Sequence, residues 1–106
     1  MMPKNVFISL PMSGLDNETI RENIMQARKE YRNRFDNPNV MFFDNFEYGD
    51  APRTLITHPN VWYLGGALRF LSACDEAFFY GNWQEARGCQ IEHKVCELYG
   101  IPIVEV

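Results

Sequence analysis

The chain has 106 residues, room for one hydrophobic core, and predicts a single domain over 1–106. Hydrophobic residues make up 46% and charged residues 23%, an ordinary globular balance, and no run approaches the roughly 18 apolar residues that a membrane helix needs. A net charge of −4 argues against a nucleic-acid polymer, whose binding depends on many Lys and Arg phosphate contacts, but leaves room for a mononucleotide held by backbone amides.

The segment Asn5-Val-Phe-Ile-Ser-Leu10 is a short apolar run ended by Pro11, which suits a buried parallel strand. Nothing ahead of it resembles a signal peptide. The turn Pro11-Met-Ser-Gly-Leu15 leads into Asp16-Asn-Glu-Thr19, rich in helix-start residues. Ile20, Ile24, Ala27, Tyr31 and Phe35 then recur at helical spacing, while Arg21, Arg28, Lys29, Arg32 and Arg34 form a solvated basic face. Asn37-Pro38 ends this helix, and Val40-Met-Phe-Phe43 reads as a second strand closing at Asp44-Asn45. Residues 46–59 show no period and contain Gly49, Pro52 and Pro59; so long a loop is uncommon in a compact domain and is expected to be a lid or binding loop.

From Asn60 a second helix is predicted, with Leu64, Leu68 and Leu71 inward. Gly65-Gly66 weakens it by about 1 kcal/mol per glycine, which points to a close backbone approach there. Asp75 opens a third strand, Glu76-Ala-Phe-Phe-Tyr80, as a structural carboxylate. A last helix follows within residues 83–99. Ile91, Val95 and Leu98 are expected against the sheet, with Gly100 as the stop, before a final strand in Ile101-Pro-Ile-Val-Glu-Val106. Three cysteines, Cys74, Cys89 and Cys96, form an odd set without paired-ligand spacing, which predicts a reduced, cytoplasmic protein without a zinc site.

Strands alternating with helices predict an α/β domain: a small parallel sheet of about four strands with helices on both faces. By analogy with flavodoxin-like (Rossmann-like) folds the strand order is expected to be 2-1-3-4. The loops 10–14 and 81–88 then converge at the switch point, where open α/β sheets bind ligands. Ser13 and Gly14 precede a helix and suit an anion, or make only a capped turn. Trp83, Arg87 and Gly88 offer an aromatic for a base, a guanidinium for phosphate and a glycine for close approach; a hydrophobic plug beside a surface arginine fits them equally. Asp44 follows the second strand on the same edge and could meet a sugar hydroxyl or belong to the turn. Glu92, early in the last helix, is the candidate for chemistry, because a carboxylate can attack an anomeric carbon or stabilise the positive charge that develops there. His93 is expected to face solvent.

Phe7-Ile-Ser-Leu-Pro-Met-Ser-Gly14, Trp62-Tyr-Leu-Gly65, Trp83-Gln-Glu-Ala-Arg-Gly-Cys-Gln-Ile-Glu92 and Tyr99-Gly-Ile-Pro-Ile103 together resemble a family of small bacterial and phage proteins. That family is similar to nucleoside 2-deoxyribosyltransferases, and the likeness covers nearly the whole chain. The resemblance implies a flavodoxin-like fold, a pocket for a nucleoside or nucleotide, and a glutamate nucleophile early in the last helix, which is Glu92 here, four residues after Gly88. It also implies phosphate contacts at Ser13 and Gly14 and at Ala86, Arg87 and Gly88; Pro11 and Met12 in the same turn are expected to line the pocket, and Trp62 and Trp83 to flank the base. It calls for no metal and no cofactor, and implies a homodimer or larger homo-oligomer. The chain departs from the pattern at two places: Ala86 stands where transferases carry an aspartate, and Gly66-Ala67 where another carboxylate is expected. The expected activity is cleavage or transfer at the N-glycosidic bond; the alternative is a catalytically silent protein binding a nucleotide or nucleotide-derived signal in the same pocket.

Overall fold

In the computed structural model β1 (Lys4–Ser9) and β3 (Glu76–Phe79) lie side by side at the centre of a four-stranded, all-parallel sheet. Outside β1 is β2 (Val40–Phe43) and outside β3 is β4 (Ile103–Glu105), which gives the expected order β2-β1-β3-β4. The structure describes residues 2–44, 46 and 56–105. The helices are α1 (Asn17–Arg34), α2 (Pro59–Ser72) and α3 (Arg87–Tyr99), the last preceded by a 3-10 turn at Trp83–Glu85. The architecture is that of a small flavodoxin-like, Rossmann-like α/β domain. The central strands read as apolar runs because both of their faces are covered.

Side chains alternate across a strand, so β1 feeds two cores. Val6 and Ile8 join Phe78 beneath Ile20, Ile24, Ala27 and Tyr31 of α1. Phe7 joins Ala77 and Phe79 beneath Ala67 and Leu71 of α2 and Cys89 and Cys96 of α3. Burying each such Phe or Leu contributes about 1.5–3 kcal/mol. Ser9 has the parity of Phe7 and therefore points to the α3 side of the sheet.

The ends of α1 follow the sequence. Asp16 caps it by accepting from the Thr19 backbone N–H at 2.7 Å, and Phe35 closes it just before Asn37-Pro38. Glu76 begins β3 although it is buried. Its carboxylate accepts from the Tyr31 hydroxyl at 2.6 Å and from Lys4 Nζ at 2.9 Å, so the charge is paired and hydrogen-bonded. Asp75 holds the start of β1 by accepting from the Asn5 N–H at 2.8 Å.

Three details differ from expectation. Helix α2 begins at Pro59, a favoured first position, and buries Gly66, Ala67 and Leu71, while Leu64 and Leu68 are only half-buried. Small residues are what meet the sheet there. Helix α3 is rotated from the expected stripe: Cys89, Glu92 and Cys96 are buried, whereas Ile91 is 44% and Leu98 68% exposed. The thiols are compact enough to let the helix settle on Phe7 and Phe79, with Val95 at the edge of that contact. The expected lid over 46–59 lies for the most part outside the described residues, as do Asn45 and the chain's last residue. Among the described residues no helix is long and apolar enough to cross a membrane.

Candidate active site

Beyond the C-terminal ends of β1 and β3 a hollow of about 460 Å³ opens between the turn after β1, the start of α2 and the start of α3. That volume lies within the range of small-molecule sites, and the position is the topological switch point of the sheet. Pro11, Met12 and Ser13 line it from the first turn, Asn60, Val61, Tyr63 and Leu64 from α2, and Glu85, Ala86, Arg87, Gly88 and Glu92 from the 3-10 turn and α3.

Glu92 is 7% exposed, and Ser9 Oγ donates to its Oε1 at 2.6 Å. The two meet because Ser9 is the last residue of β1 on the α3 side and Glu92 belongs to the buried face of α3. Burial pushes the Glu92 carboxyl up to about 7, and the Ser9 hydrogen bond, which favours the charged form, holds it from rising further. Near neutral pH the group therefore exists as comparable amounts of acid and carboxylate. A carboxyl poised near the working pH is what nucleophilic or acid–base chemistry requires. Cys89 lines the same hollow, but burial pushes its thiol up to about 11, which leaves little of the reactive thiolate.

The structure thus brings Pro11, Met12, Ser13, Arg87, Gly88 and Glu92 to one hollow. Four other sequence candidates lie elsewhere. Trp83, expected to stack on a base, is 9% exposed and packs between Phe79, at 5.2 Å, and the ring of His93, which lies parallel to it at 4.3 Å. It belongs to the core beneath α3 because the 3-10 turn directs its ring onto the sheet; its Nε1–H is buried without a partner. Trp62 is half-buried and meets the Tyr63 ring edge-on at 5.1 Å; its two neighbours, Val61 and Tyr63, line the hollow in its place. Asp44 is turned toward α1, where it pairs with Arg28 at 3.2 Å. Gly14, with φ +81°, shapes the turn from outside the lining.

His93 also differs from its expected surface position. Helical rotation lays it on Trp83, and its ring nitrogens contact Glu105 at 2.6 Å and Glu97 at 3.3 Å. Ser9, Asn60, Tyr63 and Glu85 are polar lining residues that sequence reasoning missed. Strand parity carried the signal for Ser9; Glu85 carried only its nearness to the loop before α3. Among the described residues no group of three His, Cys, Asp or Glu side chains is arranged to hold a metal ion.

The fold and this hollow define a class, a flavodoxin-like domain with a buried carboxyl at the ligand-binding edge of its sheet. Compared with known proteins, the chain matches no family model, and no curated protein matches its sequence.

Proposed function

We propose that the protein cleaves or transfers the N-glycosidic bond of a small nucleoside or nucleotide, with Glu92 as the nucleophile. The observation that carries this reading is the Glu92 carboxyl itself: buried, pushed up to about 7, held by Ser9, and facing a ligand-sized hollow. A Glu92 carboxylate oxygen attacks C1′ of the sugar, and the C1′–N bond breaks with its electron pair leaving on the base. Water or a second base then attacks C1′ and restores the carboxylate. Ser13 and Arg87 line the hollow as phosphate contacts, Pro11 and Met12 as apolar contacts, and Gly88 lets the substrate approach the start of α3.

The reading takes a small molecule rather than a polymer and requires no metal or cofactor. Three unpaired cysteines support a reducing, cytoplasmic setting. Exposed apolar side chains around the mouth, Val61 and Ile91, continue along α3 to Leu98 and Tyr99, which supports a homo-oligomer in which a neighbouring subunit closes the hollow. A second reading, a silent nucleotide-binding protein, is favoured by Ala86, which lines the hollow without a polar group.

Incubation with a panel of nucleosides and 5′-monophosphates, with free base followed by chromatography, tests the proposal. Release is expected from at least one substrate and is lost in Glu92→Ala, while binding by the variant persists. Binding by the wild type without release selects the silent reading.

A further inference from the structure

Helix α3 carries two faces that could meet the sheet, and they exclude each other. Ile91, Val95 and Leu98 form an aliphatic stripe at i, i+4 and i+7, the spacing that normally marks a helix's inner side. Cys89, Glu92 and Cys96 form the face that is buried, centred about a third of a turn away at 3.6 residues per turn. Burial of apolar surface alone favours the stripe, yet Ile91 is 44% and Leu98 68% exposed, and two thiols offer the sheet less apolar surface than Ile and Leu would. Glu92 does not hold the helix in this rotation either. Burial works against its charged form, and one hydrogen bond from Ser9 at 2.6 Å answers it.

His93 lies on the flank of the buried face that points away from the stripe, and it is engaged from three other elements. Its ring lies parallel to Trp83 of the 3-10 turn at 4.3 Å and edge-on to Phe79 of β3 at 4.9 Å. Nε2 meets Glu105 Oε1 of β4 at 2.6 Å, and Nδ1 meets Glu97, one turn along α3, at 3.3 Å. Both posts are firm. Trp83 is buried against Phe79, and Glu105 is held from the opposite face of the sheet, where Arg34 of α1 donates to its backbone oxygen at 2.8 Å. Turning the aliphatic stripe onto the sheet would carry His93 off Trp83 and toward solvent, so the contacts with Trp83, Phe79 and Glu105 would be lost together.

We propose that His93 is a positioning residue, a rotational lock that keeps α3 on its thiol-and-carboxyl face and so delivers Glu92 to the hollow. Glu92 and His93 are adjacent, about 100° apart around the helix, so an anchored imidazole also fixes the direction of the carboxyl. The lock concerns where Glu92 sits and holds for any chemistry performed there.

The thiols of the folded protein report the rotation. Cys89 and Cys96 are buried, and Cys74 is half-buried. In His93→Ala, maleimide labelling of Cys89 and Cys96, located by mass spectrometry, is expected to accelerate about tenfold or more, while Cys74 keeps its rate and unfolding stays cooperative. The Glu92 titration, followed by carbon NMR of the carboxyl, falls from about 7 toward 4.5 in the same variant. His93→Phe, which puts a ring back on Trp83, recovers much of the wild-type behaviour. Adding Ile91→Gln and Leu98→Gln to His93→Ala removes the competing stripe and returns thiol labelling toward the wild-type rate, a rescue that a merely structural role would not give. Wild-type values for either readout in His93→Ala overturn the lock. So does acceleration of all three thiols together, which signals global loosening, or a stripe substitution that fails to slow labelling. Should His93→Ala not fold, Glu105→Ala, at an exposed position, carries the test: selective acceleration of Cys89 and Cys96 supports the lock, and wild-type rates overturn it.

Discussion

A carboxyl whose pKa rises from 4.5 in the unfolded chain to about 7 in the folded one binds its proton more tightly in the native state. Its contribution to stability is therefore fully present below pH 4.5 and is lost as the pH climbs to about 7. The difference corresponds to roughly 3 kcal/mol for a group this deeply buried, at about 1.4 kcal/mol per pK unit. Glu92→Gln keeps the shape and the Ser9 contact but cannot ionise. It is expected to melt higher than the wild type at pH 8 and to lack the fall in stability between pH 4.5 and 7; thermal unfolding across that range checks this. Ser9→Ala removes the hydrogen bond that favours the carboxylate, so the rising limb of base release, centred near pH 7 in the wild type, moves to higher pH. A rate profile for the variant centred where the wild type's is would show that Ser9 does not tune Glu92. At this scale the sequence pointed to Glu92 from its place in the strand–loop–helix order. It left Trp83 open between a base contact and a hydrophobic plug, because an aromatic ring in a loop has the same signature whether it meets a ligand or the core; the structure shows the plug.

Helix α3 positions the carboxyl, and its boundaries follow local chemistry. Gly100 ends it at φ +71°, in the left-handed region that a side chain resists. Open space surrounds that position, so Gly100→Ala is expected to cost about 1 kcal/mol through the backbone alone, lowering the melting temperature by several degrees with base release unchanged. The face that α3 buries was less legible. Counting aliphatic residues selects Ile91, Val95 and Leu98, yet the sheet receives Cys89, Glu92 and Cys96. A thiol is apolar and small enough for close packing, and a carboxyl can be buried when a hydroxyl from the facing strand answers it. Neither property is visible in the spacing of aliphatic residues. For α2 the expected close approach at the paired glycines is absent at Gly65, which is exposed with open space around its Cα, while Gly66 is buried; the leucines overstated how wide the buried stripe is.

Across the molecule, that rotation of α3 leaves an apolar rim outside the hollow. Leu98 is 68% and Tyr99 80% exposed on the same helix that carries Glu92 inward. If this rim is the contact between copies in the proposed homo-oligomer, Leu98→Glu should shift sedimentation from oligomer to monomer and weaken substrate binding, while the monomer's melting changes little. Unchanged sedimentation of an oligomeric wild type would exclude this face as the contact. The α/β class, the capped start of α1 and the glycine stop of α3 were legible in the chain, from local periodicity and turn residues, and analogy with flavodoxin-like folds supplied the strand order and with it the place of Glu92 near the switch point. Packing in three dimensions was needed to bring Ser9 to Glu92, to stack Trp83 on His93, to turn Asp44 to Arg28, and to open Glu85 into the hollow. Each depends on the rotation of one element against another, which is fixed by packing between residues far apart in the chain.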